Sequence, residues 1–198
     1  MRPGASCVLI GLLAAGVGLV AADTLTPQLA DAFERKLVAV QQRASIAPAA
    51  AGTTLFAENE VNSYLRFKTE GQLPTGLTEP AFTLIGEGRV TARAVVDLDI
   101  IREKQKSSSW LDPIRYLSGK LPVTATGALR TGAGKARIDL ESVEVSGVPM
   151  PKALLQQLVS YFTKSAERPG GASLDDTFLL PVQIQQLDVQ PGRAVVIQ

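Results

Sequence analysis

Paired carboxylates are the side chains of this 198-residue chain with the most evident capacity for chemistry. Asp97 and Asp99 stand two residues apart in an alternating segment, which places both on one face of a strand. Asp139 and Glu141 repeat that spacing. Such pairs could bind calcium or act as general acid and base. Basic residues are interleaved with them, namely Arg93, Lys135 and Arg137. We therefore favour an exposed sheet face with cross-strand charge pairs.

A third acidic pair, Glu58 and Glu60, opens a segment with helical spacing. Acidic residues stabilise a helix N-terminus through the helix dipole, so a structural role is favoured over a catalytic one. Glycines stand next to basic residues in "GEGRV" and "TGAGK". Each stretch lies between predicted strands and lacks a following helix, so both are interpreted as hairpin turns and not as phosphate loops.

The composition excludes several classes of function. The chain has no histidine and one cysteine, Cys7, so histidine-dependent triads and conventional histidine or thiolate metal sites are excluded. The 20 basic and 19 acidic residues are evenly mixed, which argues against a nucleic-acid partner. We expect no cofactor, no metal and no enzymatic activity. A hydrolase using serine, lysine or carboxylates is a distant alternative.

The N-terminus has the pattern of an export signal over residues 1–22. Arg2 supplies a positive charge, the run from Val8 to Val20 is apolar, and small residues precede Asp23. The run is shorter than the roughly 20 residues that span a bilayer, so cleavage is favoured over a transmembrane anchor. Cys7 precedes the run and is badly placed for lipid modification. We expect an exported protein, periplasmic or secreted.

The mature chain is expected to begin with a helix and a linker over residues 23–52. Apolar residues recur there at three- and four-residue steps: Leu25, Leu29, Phe33, Leu37 and Val40. Thr26 and Pro27 suit a helix start, and Pro48 and Gly52 end the pattern. The helix could pack on the domain or act as a spacer. Residues 53–198 are predicted to form a single α+β domain.

Long hairpins dominate that domain. Alternation predicts an antiparallel pair over residues 81–101 and a second pair from Leu121 to Val145. In the second pair the apolar positions change register, which predicts a β-bulge near Glu141-Ser142. A third pair is predicted to begin with a strand from Val182 to Val189, with a bulge at Gln185-Gln186, and to turn at Pro191-Gly192 into "RAVVIQ". Bulges bend strands, so we expect a curved sheet.

The segment from Pro151 to Lys164 is predicted to be an amphipathic helix. Its apolar stripe comprises Leu154, Leu155, Leu158, Tyr161 and Phe162. The stripe could complete a dry core, line a pocket for an apolar ligand, or lie on a membrane; the membrane ranks lowest because the polar face has few basic residues. The predicted fold is therefore α+β, with a curved antiparallel sheet of long hairpins wrapped around this helix, plus the N-terminal helix.

Three stretches carry a resemblance to a known group: "ENEVNSYLRF", "PMPKALLQQLVSYF" and "LPVQIQQLDVQPGRAVV". Their order, with long hairpins after the first, is similar to small bacterial envelope proteins related to the tubular lipid-binding (TULIP, BPI-like) superfamily, including YceB-type and LmeA-type proteins. The resemblance covers roughly residues 53–198. It implies a highly curved sheet around a long helix, enclosing a groove for lipid or another hydrophobic molecule, and no catalytic residues.

The preferred hypothesis is non-enzymatic binding of a lipid or other apolar ligand in the cell envelope. Small residues are common on the expected inward face, namely Ala92, Ala94, Ala125 and Ala136. They can leave room for such a ligand, or they can allow a helix to come closer. The candidate binding residues are Phe82, Leu84, Val96, Leu98, Leu154, Leu158, Tyr161 and Phe162. The alternative is a structural or protein-interaction module with a dry core, whose working surface is a sheet edge or the loop around Trp110. It would bind an envelope protein.

Overall fold

The structure is a computed structural model that describes residues 24–46, 51–104, 118–163 and 168–198. The predicted export signal and the loop around Trp110 lie outside the described residues. The helices are α1 (Pro27–Ala44), α2 (Glu58–Lys68), α3 (Leu98–Lys104) and α4 (Lys152–Phe162). The strands are β1 (Thr53–Ala57), β2 (Leu77–Gly86), β3 (Arg89–Asp97), β4 (Lys120–Gly132), β5 (Lys135–Val145), β6 (Val148–Pro149), β7 (Thr177–Leu179), β8 (Gln186–Gln190) and β9 (Arg193–Ile197).

The strands form two antiparallel sheets. A six-stranded sheet has the order β2-β3-β4-β5-β6, and β7 also pairs with β5. A three-stranded sheet has the order β1-β9-β8. The predicted α+β class with antiparallel hairpins is confirmed. The hairpin turns have the backbone that the glycines indicated: Ala133 and Gly134, between β4 and β5, both have positive φ.

The register of the six-stranded sheet gathers the apolar residues on one face. Phe82 is opposite Ala92, which is opposite Ala125, and Val143 follows on β5. The predicted bulge is confirmed on β5. Thr126 pairs with Ser142 while Gly127 pairs with Leu140, so Glu141 is the extra residue. The apolar positions before and after the bulge therefore share one face.

The strand predicted to run through Ile100 ends at Asp97, and α3 begins at Leu98. That prediction was wrong because Asp97 caps the helix. Its carboxylate oxygen accepts hydrogen bonds from the backbone N–H groups of Asp99 and Ile100, both at 3.1 Å. Aspartate is a preferred N-cap residue because it satisfies otherwise unpaired N–H groups. Leu98 is therefore a helical residue and does not continue the apolar face of β3.

The strand predicted from Val182, with its bulge at Gln185-Gln186, was also wrong at its start. β8 begins at Gln186, and its pairing with β9 is continuous from there to Gln190. Val182 and Gln183 have φ angles of 47° and 56°, and the Ile184 N–H donates to the Pro181 carbonyl at 3.0 Å. Residues 181–184 thus form a turn, which alternating apolar residues alone do not reveal.

Helix α1 packs on the rest of the chain. The Thr26 hydroxyl caps the helix by accepting from the Leu29 N–H at 3.2 Å. The Phe33 ring lies 4.9 Å from the Phe56 ring and 4.7 Å from the Tyr64 ring. A partly buried ion pair adds to the contact, with the Lys36 ammonium 2.6 Å from a carboxylate oxygen of Glu60. Of the two arrangements left open by the sequence, packing is the one observed.

The three-stranded sheet packs against one part of the apolar face of the six-stranded sheet. A core cluster contains Leu84 from β2 with Val189 and Ala194 from β8 and β9. The Thr131 hydroxyl also fixes β4 to β8, because it donates to the Leu187 carbonyl at 2.8 Å and accepts from the Leu187 N–H at 3.0 Å. The two sheets and α1 together surround the candidate site.

Candidate functional site: an apolar groove

A groove of about 560 Å³ lies between the apolar face of the six-stranded sheet, the three-stranded sheet and helix α1. The turn at residues 181–184 closes part of one side. The described residues that line it are Phe33, Leu37, Val40, Phe56, Val61, Phe82, Leu84, Val90, Ala92, Ala125, Thr126, Gly127, Leu129, Ile138, Leu140, Pro181, Val182, Ile184, Leu187, Val189, Ala194 and Val196.

The lining is chemically uniform. Among the described lining residues, Thr126 alone has a polar side chain, and none is charged. The Thr126 hydroxyl is already within 2.9 Å of the Thr91 hydroxyl. A polar ligand group placed in this groove would lose its hydrogen bonds to water without replacement, at a cost of a few kcal/mol. The groove therefore suits hydrocarbon.

Small residues of the six-stranded sheet make room for the groove. Ala92 and Ala125 are directly opposite each other on β3 and β4, and both line it. Gly127 continues this wall. A Cβ atom there would come within 2.9 Å of the Asp139 carbonyl oxygen, so the close approach of β4 and β5 requires glycine. The inward alanines had suggested such a space, although Ala94 and Ala136 do not line it.

Helix α1 supplies a wall that sequence reasoning did not assign to the site. Phe33, Leu37 and Val40 line the groove. The periodicity of α1 identified these three residues as an apolar stripe, but it could not show which surface the stripe meets. The Gln198 amide holds this wall in place, because its nitrogen donates to the carbonyls of Val40 and Val182, each at 2.9 Å.

The structure brings some of the candidate binding residues together and separates others. Phe82 and Leu84 line the groove. Val96, Leu98 and Leu154 are not among the described lining residues. Leu98 is buried at the start of α3, and Leu154 on α4 is 41% exposed. The side chains of three other candidates lie outside the described part of the structure: Leu158, Tyr161 and Phe162.

Helix α2 fixes the strand that carries Phe82 and Leu84. The Asn62 side chain donates to the Phe82 carbonyl at 2.8 Å and accepts from the Phe82 N–H at 2.7 Å. Glu58 accepts from the Leu84 N–H at 2.6 Å. These bonds satisfy backbone groups along β2, which forms one edge of the sheet, as a neighbouring strand would. Glu58 therefore holds a wall of the groove.

The other carboxylates also have structural partners. Glu60 accepts from the Ala57 N–H at 2.9 Å and pairs with Lys36. Asp139 lies 2.8 Å from Arg137 and 3.3 Å from Arg130. These contacts provide a structural account of both carboxylates.

Glu141, the bulge residue, pairs with Arg89 at 2.7 Å. Its hydrogen bond raises the pKa of Arg89 above the ordinary value. Charge pairing across strands was the favoured interpretation of the acidic pairs, and it agrees with the contacts of Asp139 with Arg130 and of Glu141 with Arg89. It was wrong for Asp99, which pairs with Arg102 within α3, while Asp97 caps that helix. Within the described residues no group of acidic side chains has a metal-binding arrangement.

A second and larger cavity, the α2 cleft, lies between α2 and the segment of residues 69–81. Its volume is about 1110 Å³. Its described lining mixes apolar, polar and charged groups, including Glu58, Asn59, Arg66, Phe67 and Glu70. The side-chain oxygen of Asn59 is buried without a hydrogen-bond partner. An open cleft with charged walls is readily filled by water, so its volume alone does not indicate a ligand.

No protein-family model matches this chain, and no curated protein is significantly similar to it. In the described ranges, no helix is both long enough and apolar enough to cross a membrane. The resemblance to tubular lipid-binding proteins therefore stays a prediction, and the groove itself is the basis for the functional argument.

Proposed function

We propose that the protein is an exported, non-enzymatic carrier that holds the hydrocarbon part of a lipid or a similar apolar molecule in the groove. The observation that carries this proposal is the lining, in which Thr126 is the single polar side chain among the described residues. The volume of about 560 Å³ lies within the range of about 300–1,000 Å³ typical of small-molecule sites. Binding would consist of burial and release, without bond chemistry.

The wrapping of the sheet around α4 belongs to this proposal. The bulge at Glu141 and the register shift between Thr78 and Ala81 both bend strands, which favours a curved sheet. Helix α4 starts beside β5, since the Met150 N–H donates to the Val143 carbonyl at 2.8 Å. In this arrangement the apolar stripe of α4 would cover Ala94, Val96 and Val123. These residues continue the apolar face of the sheet beyond the groove.

The decisive experiment is native mass spectrometry on the chain that starts at Asp23, purified without detergent from a lipid-containing host. We expect a reproducible extra mass that extracts into organic solvent. Ala92→Trp should remove at least nine-tenths of it, because an indole at this position fills the groove. Ala94→Trp is the matched control, since Ala94 lies on the same face of β3, two residues further on, and does not line the groove.

Circular dichroism of both tryptophan variants checks that they remain folded. Equal loss of the ligand from both variants would point to general overpacking and contradict the assignment of the groove. A bare polypeptide mass that persists after incubation with phospholipid would overturn the proposed function. It would favour the interaction-module alternative, which is then tested by a search for a protein partner in the envelope fraction.

A further inference from the structure

Four of the exposed large apolar side chains lie at one end of the groove. Leu179 is 75% exposed, Ile46 55%, Ile138 45% and Phe178 44%. They belong to three segments that we call the rim: residues 44–46, 132–138 and 178–185. Ile138 is both an exposed rim residue and a lining residue of the groove. The rim is thus continuous with the apolar interior.

Hydrogen bonds hold the three segments of the rim together. The Leu180 N–H donates to the Gly134 carbonyl at 2.8 Å, and the Gly134 N–H donates to the Gln185 carbonyl at 3.0 Å. The Gln183 side chain donates to the Ala44 carbonyl at 2.9 Å. The exposed residues are therefore presented on a connected surface and do not belong to separate loose ends.

The rim also contains unfavourable backbone. Val182 and Gln183 have positive φ angles, and for a β-branched residue such as valine this conformation is a genuine outlier. Strained turns tend to persist where function requires their geometry. Here the strained turn places Val182 against the groove and keeps Pro181 and Gln183 at the surface.

Basic residues lie next to Leu179, on the face of the β5-β7 pair opposite to that of Ile138 and Phe178. Lys135 is opposite Leu179 in the pairing of β5 with β7, so both lie on the same face of the sheet. Arg137 and Arg130, opposite each other on β5 and β4, share the single carboxylate of Asp139. The rim segments contain no acidic residue, although basic and acidic residues are nearly equal in the whole chain. The rim therefore has a local excess of positive charge.

We propose that the rim is the surface by which the protein docks on an anionic lipid bilayer. Exposed apolar side chains enter the boundary between headgroups and acyl chains, while neighbouring lysines and arginines are attracted to acidic headgroups. Docking in this orientation brings the groove end at Ile138, Pro181 and Val182 to the bilayer. An apolar ligand could then pass between bilayer and groove with little exposure to water.

This inference rests on the proposed function for its biological purpose, but its test is independent. The probes are sedimentable vesicles of phosphatidylcholine, alone or mixed with phosphatidylglycerol, and the protein is the chain that starts at Asp23. Every described helix and strand lies after this residue, and the apolar run of residues 8–20 would itself bind vesicles. We expect binding to the mixed vesicles, and weaker binding both at high salt and to phosphatidylcholine alone.

Two variants and two matched controls localise the binding. Leu179→Asp should weaken partitioning at least tenfold, because a leucine is replaced by a charge that the headgroups repel. Val148→Asp is its control, since Val148 is 63% exposed on β6, which pairs with the other end of β5. Lys135→Gln should weaken partitioning about fivefold, the effect of one basic residue near an anionic surface. Arg193→Gln is its control, because Arg193 lies at the end of β9 that is away from the rim.

Absence of binding to the mixed vesicles would overturn the proposal, as would equal losses in the rim variants and their controls. Binding that is equally strong to pure phosphatidylcholine would overturn the role of the basic residues. Ala92→Trp separates this inference from the proposed function. If that variant loses the bound ligand and still docks, both stand. If the wild-type protein docks and never contains or takes up lipid, the rim assignment stands and the carrier function fails.

Discussion

The α2 cleft is larger than the apolar groove, but the groove is the better candidate for a ligand site. The cleft has about 1110 Å³ and the groove about 560 Å³. Glu58, Arg66 and Glu70 line the cleft, whereas no charged described residue lines the groove. Water fills a polar cleft readily but finds few partners in an apolar groove. The chemical uniformity of a cavity is therefore a better guide to a ligand than its volume.

Two phenylalanines test that contrast most strongly. Phe56 lines the groove and is 5% exposed, whereas Phe67 lines the cleft and is 40% exposed. Phe56→Ala should lower the free energy of unfolding by about 3–5 kcal/mol, the usual cost of removing a buried phenylalanine side chain. Phe67→Ala should change it by about 0.5 kcal/mol or less. Urea unfolding measures both. Comparable losses would mean that the cleft is also a packed part of the core.

Two asparagines on α2 provide a second comparison. Asn62 makes two hydrogen bonds to Phe82, whereas the buried Asn59 side-chain oxygen has no partner. Asn62→Ala should cost about 2 kcal/mol, at about 1 kcal/mol for each bond, and loosen the β2 wall of the groove. Asn59→Ala should be neutral or slightly stabilising, because an unsatisfied buried acceptor is removed.

Urea unfolding together with hydrogen exchange at the Phe82 N–H measures the Asn62 effect. Faster exchange at this amide in Asn62→Ala, but not in Asn59→Ala, is expected. Unchanged exchange in both variants would contradict the assignment of Asn62 as the residue that holds the sheet edge. A marked loss of stability in Asn59→Ala would show that the cleft side of α2 needs its polar groups.

The smallest effect concerns the exposed ion pairs that help to hold α1, the third wall of the groove. Lys68 lies 2.8 Å from Asp31 and 3.1 Å from Glu34. Its hydrogen bond lowers the pKa of Asp31 below the ordinary value. A lowered pKa in the folded state stabilises the protein above the ordinary pKa, and this contribution is lost as the pH falls through the folded value.

Asp31→Asn should therefore be slightly less stable than the wild-type protein at neutral pH, and the difference should vanish in acid below the pKa of Asp31. Exposed pairs contribute little, so the change should be the smallest of the three. Urea midpoints at neutral pH and in acid measure the difference in stability. Asp175→Asn is the control, because the exposed ion pair of Asp175 with Lys152 lies away from α1. A difference that persists unchanged in acid would contradict the role of the Asp31 charge.

Local patterns predicted much of the fold. The alternation of Val90, Ala92 and Ala94 identified β3, and the change of register predicted the bulge at Glu141. Thr26 and Pro27 marked the start of α1. The errors arose where apolar alternation was taken to continue a strand through a residue that caps a helix or through a turn. Asp97, a capping residue before Leu98, ends β3, and the apolar alternation at Val182 and Ile184 belongs to a turn.

Part of the candidate site was also predictable. Phe82 and Leu84 were assigned to the apolar face and line the groove. The wall formed by Phe33, Leu37 and Val40 was missed, because a helical stripe indicates that a surface is covered without identifying the covering element. The role of Asn62 was missed for a similar reason, since its hydrogen bonds join residues 20 positions apart.

The sequence by itself determined which residues alternate, which turns need glycine, and which chemistry the lack of histidine excludes. These properties depend on neighbours within a few positions along the chain. The tertiary structure alone decided that Ala92 and Ala125 meet across two strands, that α1 forms a wall of the groove, and that Lys135 and Leu179 share one face. Such juxtapositions depend on the register and packing of distant segments, which sequence spacing does not specify.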